Sequence, residues 1–402
     1  MRPPRPKGPS LLGMGIGMGA AASAGAAGTA GLIADRIRRR EDAQLPEYRS
    51  LTQPADHELA VTSYDGVVLH AQIDEPTGNP IHDNGVPKPT VVLSHGYCLS
   101  SECWVLQRRA LKKAGYRVVT WDQRGHGKSD KGDPASYDIE KLGLDLLAVI
   151  DAAAPEGQLA LGGHSMGGMT IMAMAGHHPE IVTERTVAFA AVATSPGGIP
   201  LANGGFAATA GKVVLERMGP GVFTRLSRQP KLLQGLLRAN RELSEFAVER
   251  YSFGSPVPRS VVQLTAKMLL NTDLTVISDF VPTFDKYDMA GNLGFFAHVE
   301  TLVFNGMQDV LTPPDHSRLL VDAIPGAEHV MLHDAGHIIM LEHPDLLNEQ
   351  LLALLERAAV DQALHLDPAD KPHVTTVVTP VGKKRAVRKG LTHRRRKPQL
   401  VS

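Results

Sequence analysis

Short β-rich apolar runs alternate along this chain with stretches of helical period, and that alternation restricts the fold more than any other feature. Residues 58–64 and 67–73 flank Asp65-Gly66, a hairpin signal. Further strands are expected at 90–94, 116–121, 158–163 and 186–194, with helices over 101–114, 139–153 and 166–177. The rhythm breaks over 196–297, where helix-like runs at 206–217, 230–249 and 259–271 form an insertion of about a hundred residues. It then resumes with strands at 300–305 and 328–333 and helices at 314–323 and 343–359. Strands alternating with helices imply an α/β fold: a mostly parallel sheet with helices on both faces. Ligands of such sheets bind beyond the carboxyl ends of the strands. His95, Asp122 and Ser165 each follow a strand, so the pattern places them near one edge.

One serine stands out there. The run Gln158-Leu159-Ala160-Leu161 ends in Gly162-Gly163-His164-Ser165-Met166-Gly167-Gly168. A serine in Gly-x-Ser-x-Gly on a tight strand-to-helix turn is forced into a strained backbone, and small neighbours avoid clashes. Its hydroxyl then stands at the amino end of a helix, where unpaired N–H groups favour a developing oxyanion. Such a hydroxyl needs a general base, and the base needs an orienting carboxylate. Asp309 follows the strand at 300–305, and His337 follows the strand at 328–333, giving the chain order Ser165, Asp309, His337.

At these residues the chain resembles the α/β-hydrolase family, over about residues 58–360 apart from much of the insertion. His95-Gly96-Tyr97-Cys98 resembles its oxyanion loop, and Asp122-Gln123-Arg124-Gly125-His126-Gly127-Lys128-Ser129 its strand-ending loop. Gly163-His164-Ser165-Met166-Gly167-Gly168 resembles the nucleophile elbow. The resemblance implies Ser165 as nucleophile, His337 as base, Asp309 as its orienting acid, and the backbone N–H groups of Tyr97 and Met166 as the oxyanion hole. It also implies that residues 196–297 are a helical lid, with 58–195 and 298–360 as the hydrolase core. His95 and His164 read as supports of the turns, and Asp122 and Arg124 as ties between loops. His333 and His343 lack the family's position, and Asp334 shares the His337 loop without orienting its ring. A serine at the elbow argues against epoxide hydrolases and haloalkane dehalogenases, which carry Asp there. It favours a serine esterase or lipase acting on a small-molecule or lipid ester. Alternatives on the same residues are a carbon–carbon bond hydrolase, a cofactor-free perhydrolase, or a non-catalytic binding protein of this fold. No P-loop, complete dinucleotide fingerprint or metal cluster occurs, so neither cofactor nor metal is expected.

The ends differ from the body. Residues 1–40 hold seven Lys/Arg and one Asp, and 361–402 hold ten Lys/Arg and three Asp. The remainder, 41–360, has 25 basic and 38 acidic residues, which does not suit nucleic acid, whose phosphates need a basic face. Residues 11–34 carry no charge, but seven glycines and eight alanines weaken the apolar signal. The segment 1–45 reads as a membrane anchor, a secretory signal or an Ala/Gly-rich leader, with membrane association favoured over a cytoplasmic or secreted location. Residues 361–402 read as a basic disordered tail that could also meet an anionic membrane surface. Cys98 and Cys103 form no disulfide framework and read as two free thiols near a loop.

Overall fold

The computed structural model describes residues 50–197, 241–379 and 386–389. Segment 1–45, the run at 206–217, most of 230–249, and residues 380–385 and 390–402 of the basic tail lie outside them. By contacts the chain divides into two units, one of them Arg49–Ser255 with Ser260–Ser402. Among the described residues only Pro256–Arg259 fall to the other unit, and apart from Arg259, the first residue of one helix, the former holds everything below.

Among the described residues ten strands form one sheet in the order β1-β2-β4-β3-β5-β6-β7-β8-β9-β10. They are β1 His57–Thr62, β2 Val68–Asp74, β3 Thr90–Ser94, β4 Val118–Trp121, β5 Leu159–His164, β6 Thr186–Val192, β7 Glu300–Gly306, β8 Glu328–Leu332, β9 Val374–Thr379 and β10 Ala386–Lys389. The β1–β2 hairpin and β2–β4 pair antiparallel, and every pair from β4–β3 through β8–β9 is parallel. Parallel strands must be covered on both faces, and they read as near-continuous apolar runs for that reason. Helices α1 Val105–Lys113, α2 Ile139–Ala153, α3 Met166–His177, α7 Pro314–Ala323 and α8 Pro344–Leu364 do the covering, with α4 Arg241–Ser252, α5 Arg259–Asn271 and α6 Leu274–Lys286 between β6 and β7. Side chains alternate with the pleat. Val92, Leu159 and Ala191 join the core shared with α2, α3 and α7, whereas Val91, Ala160 and Ala190 gather with Leu111 of α1 and Leu351 and Leu354 of α8.

The strand at 186–194 and the two flanking 300 and 330 are found where the periodicity predicts them, as is the helix at 259–271. Helix α6 is not foreshadowed, because Pro282 stands inside it and interrupts the helical reading. The tail from 361 is not simply disordered, as the sequence reading had it. Helix α8 runs to Leu364, and Val374–Thr379 adds a strand parallel to β8, with β10 antiparallel beyond it. All six residues of β9 are β-branched, which suits a pleated surface better than a coil. Lys371 fastens its start, bonding Glu300 at 2.8 Å and Asp361 at 2.6 Å. Among the described residues no helix is long and apolar enough to cross a membrane. Cys98 and Cys103 are both buried and free.

Ionic ties hold the loop after β4. Arg124 is fully buried and forks onto Asp145 at 2.6 Å from both Nε and Nη2, while Nη1 reaches Asp65 at 2.7 Å. Asp122 accepts the N–H of Ser101 at 2.7 Å and of Lys128 at 2.9 Å. Its Oδ2 also meets Nδ1 of His70 at 3.2 Å, and Glu58 meets the other ring nitrogen at 3.0 Å. The Asp122 contact raises the His70 pKa above 6.5 against the effect of burial, and Glu58 adds to the rise. Glu58 itself is lowered to about 2 by His70 and Lys128, so both carboxylates stay ionised in mild acid. A raised folded pKa adds stability that is complete below the unfolded value of about 6.5 and is lost as pH rises through the folded one. His70→Gln is therefore expected to lower Tm more at about pH 5.5 than at about pH 9. Equal losses at both, in thermal melts of the two proteins, would show that the ring packs but carries no charge.

Candidate active site

Strand β5 leads directly into Ser165, which sits at φ 52°, ψ −120° before α3 begins at Met166. A non-glycine residue in that region costs on the order of 1–3 kcal/mol and persists only when its surroundings hold it. They do. The Ser165 N–H donates to Val192 O at 3.0 Å, and its carbonyl accepts from Gly168 N–H at 2.9 Å and the Thr194 hydroxyl at 2.6 Å. Gly163 and Gly167 have no room for a side chain. A Cβ on the first would stand 2.5 Å from Gly168 N, and on the second 2.2 Å from Ser94 O. The glycines flanking the serine are thus a packing requirement of the turn.

Asp309 and His337 meet across two loops. His337 Nδ1 lies 2.8 Å from Asp309 Oδ2, and both side chains are nearly excluded from solvent. Oδ1 of Asp309 accepts the N–H groups of Leu311 at 2.8 Å and Thr312 at 2.9 Å, and Thr312 Oγ1 lies 2.8 Å from Oδ2. An ionised carboxylate only accepts, so Nδ1 of His337 carries the proton in this contact and Nε2 is left with a lone pair. His337 and Ser165 line one cavity. Among the described residues the Ser165 hydroxyl makes no hydrogen bond; such bonds commonly close only around substrate.

The loop Gly96-Tyr97-Cys98 runs alongside. A Cβ on Gly96 would lie 3.1 Å from the Ser165 Cβ. Cys98 has φ 60° and donates its N–H to His126 Nε2 at 3.1 Å, and His95 Nε2 accepts the Gln123 N–H at 2.9 Å. Burial lowers the pKa of both rings, that of His126 to about 3, which keeps them neutral acceptors. His95 is a support, as the sequence suggested. His164 is another: its Nε2 donates to the His337 carbonyl at 2.9 Å, and burial holds its pKa well below the usual range. Tyr97 packs edge-on against Phe284, with ring centres 5.2 Å apart, and its hydroxyl donates to the Ile277 carbonyl on α6. Met166 has a buried side chain and opens α3, where the first N–H groups have no intrahelical partner.

The cavity over Ser165 holds about 130 Å³ and is mostly apolar, with Leu99 and Met169 from the core and Val248, Leu269, Val281 and Phe284 from α4, α5 and α6. A larger polar cavity of about 360 Å³ lies beside His70 and Arg108. There each cation already has its carboxylate: Arg108 with Asp74, Lys128 with Glu58, Lys267 with Glu102. Asp334 pairs with His333 and leaves the His337 ring to Asp309. Sequence reasoning missed Thr312, although an Asp three residues before a Thr is a common local capping pattern. It also missed Glu342, whose partners Gly254 and Ser255 stand 88 and 87 positions away.

The sequence model of the alpha/beta hydrolase fold family matches residues 89–344, and the chain belongs to that family. A protein named as a carbamate hydrolase, RutD, of Variovorax paradoxus (strain S110) is 26% identical over 269 residues, covering 67% of this chain and 92% of its own. Among solved structures, an esterase from Exiguobacterium antarcticum aligns with a TM-score of 0.58 at 19% identity, over 75% of this chain and 100% of its own. An enol-lactonase from Burkholderia xenovorans LB400 aligns with a TM-score of 0.55 at 26% identity, with the same coverage. The family and the names of these relatives support a hydrolase.

Proposed function

We propose that this protein is a serine hydrolase that cleaves a carboxylic ester through an acyl-enzyme. The observation that carries this reading is a strained, solidly held Ser165 sharing one apolar cavity with His337, whose ring is bonded to Asp309. Ser165 attacks the acyl carbonyl. Nε2 of His337 takes the hydroxyl proton and returns it to the departing alkoxide, and water then repeats the sequence on the acyl-enzyme. Asp309 holds the ring in the tautomer this needs. The N–H groups of Tyr97 and Met166 face the oxyanion, a contribution on the order of 10²–10³ in rate for one donor. Helices α4, α5 and α6 supply one wall of the acyl pocket and act as the lid. The lactone opened by the enol-lactonase relative is itself a cyclic ester, which fits this class. A carbamate is a second substrate of the same chemistry, favoured by the carbamate hydrolase relative.

Fluorophosphonate labelling with peptide mapping tests the reading. Wild type is expected to label at Ser165, while Ser165→Ala and His337→Ala stay unlabelled. Folded wild type that resists the probe would remove the serine-hydrolase reading. An ester panel from acetate to octanoate, with an aryl carbamate beside it, then ranks the substrates. A steep fall with chain length would exclude lipid esters.

A further inference from the structure

Besides Asp309, the loop that carries His337 is held by a buried carboxylate from the helical turn that follows it, Ile339–Glu342. Oε1 of Glu342 accepts the N–H of Gly254 at 2.9 Å, the N–H of Ser255 at 2.5 Å and the Ser255 hydroxyl at 2.7 Å. Its Oε2 accepts the N–H of Gly336 at 2.8 Å, one residue before His337. The carboxylate thus faces four donors and acts only as an acceptor, with its side chain fully enclosed. Two of those segments also bond each other directly. Ser252 O, the last carbonyl of α4, accepts the N–H groups of both His337, at 2.9 Å, and Ile338, at 3.0 Å. Backbone lies on backbone here. A Cβ on Gly254 would stand 2.6 Å from Ala335 C, and one on Gly336 would stand 2.7 Å from Gly254 N.

We propose that Glu342 is a positioning residue that locks the His337 loop to the end of α4, so that the base and the insertion helix over the pocket are set as one body. This rests on the reading of His337 as general base. The physical argument is geometric. The ring of His337 can stand in line between Asp309 and Ser165 only if its backbone is fixed. The fixing bonds come from Ser252, from His164 and, through Gly336, from Glu342. Loss of the Glu342 contacts lets the Gly336–His337 backbone shift relative to Ser165, and a displacement of about 1 Å at a reacting group costs on the order of 10²-fold in rate. Glutamine at this position keeps the volume and one oxygen. It turns an N–H group toward one of the two donor sets, so the clamp is broken from within.

The test uses the full chain with a small nitrophenyl ester, and counts competent sites by end-point fluorophosphonate labelling. Glu342→Gln is expected to lower kcat per labelled site about 10- to 100-fold, with KM within twofold, and to slow labelling by a similar factor. Ser255→Ala removes one donor of the four and is expected to lower kcat per labelled site by a few fold. Wild-type kcat per labelled site in Glu342→Gln, with only a lower melting temperature, would overturn the proposal and leave Glu342 as packing. If Glu342→Gln does not fold, Ser255→Ala decides, and an unchanged kcat per labelled site in it is equally fatal. His337→Ala labelling at the wild-type rate is a separate outcome: it removes the general-base reading and leaves the clamp as a structural tie.

Discussion

Asp309→Asn is expected to lower kcat on the order of 10³- to 10⁴-fold while the protein stays folded. The site itself dictates how the amide must sit. Oδ1 of Asp309 receives two backbone N–H groups, from Leu311 and Thr312, so the amide oxygen of asparagine has to remain there. Its NH₂ then takes the place of Oδ2, 2.8 Å from His337 Nδ1. A donor at that point forces Nδ1 to become the acceptor, and the ring proton moves to Nε2. A ring protonated on Nε2 cannot accept the Ser165 proton. The loss should therefore fall on kcat and on the rate of fluorophosphonate labelling alike, with a small change in melting temperature. Retention of more than about a tenth of kcat would mean that the Asp309–His337 contact is structural.

Arg124→Met is expected to give the largest loss of stability, about 3–5 kcal/mol, because it strands Asp145. Neither side chain of the Arg124–Asp145 pair has any exposure. Asp145 keeps only the Ser63 hydroxyl when the guanidinium is gone. Burial already pushes the Asp145 carboxyl above the usual carboxylate range, despite the fork from Arg124. Without that fork the group must either stay charged in an apolar setting or take up a proton. A drop of roughly 5–10 °C in melting temperature is expected for a body of this size. The double variant Arg124→Met with Asp145→Leu should recover much of it, since replacing both members of a buried pair is far cheaper than removing one. A single variant as stable as wild type would show that water reaches Asp145.

Much of this was open to inspection in the chain. The serine between glycines, the strands before Asp309 and His337, and the order of the three all follow from periodicity and turn chemistry, because a parallel sheet delivers its strand ends to one edge. The supports at His95 and Asp122 were legible for the same reason. Helix α6 was not, since its proline argues against a helix and the packing of Tyr97, Phe280 and Phe284 overrides that preference. Strand β9 was hidden by the basic residues beyond it, although six β-branched residues in a row were present to be read.

The sequence by itself determined the alternation of strand and helix and the strained turn at Ser165, because each rests on residues within one or two turns of each other, and the family resemblance supplied Asp309 and His337 as its partners. Tertiary structure alone decided what lines the pocket, that Thr312 braces Asp309, and that Glu342 ties Gly336 to the end of α4. Most of those contacts join residues far apart in the chain, Glu342 and Gly254 by 88 positions. Only the assembled sheet and the packed insertion bring such groups within hydrogen-bond reach, and no local pattern encodes that distance.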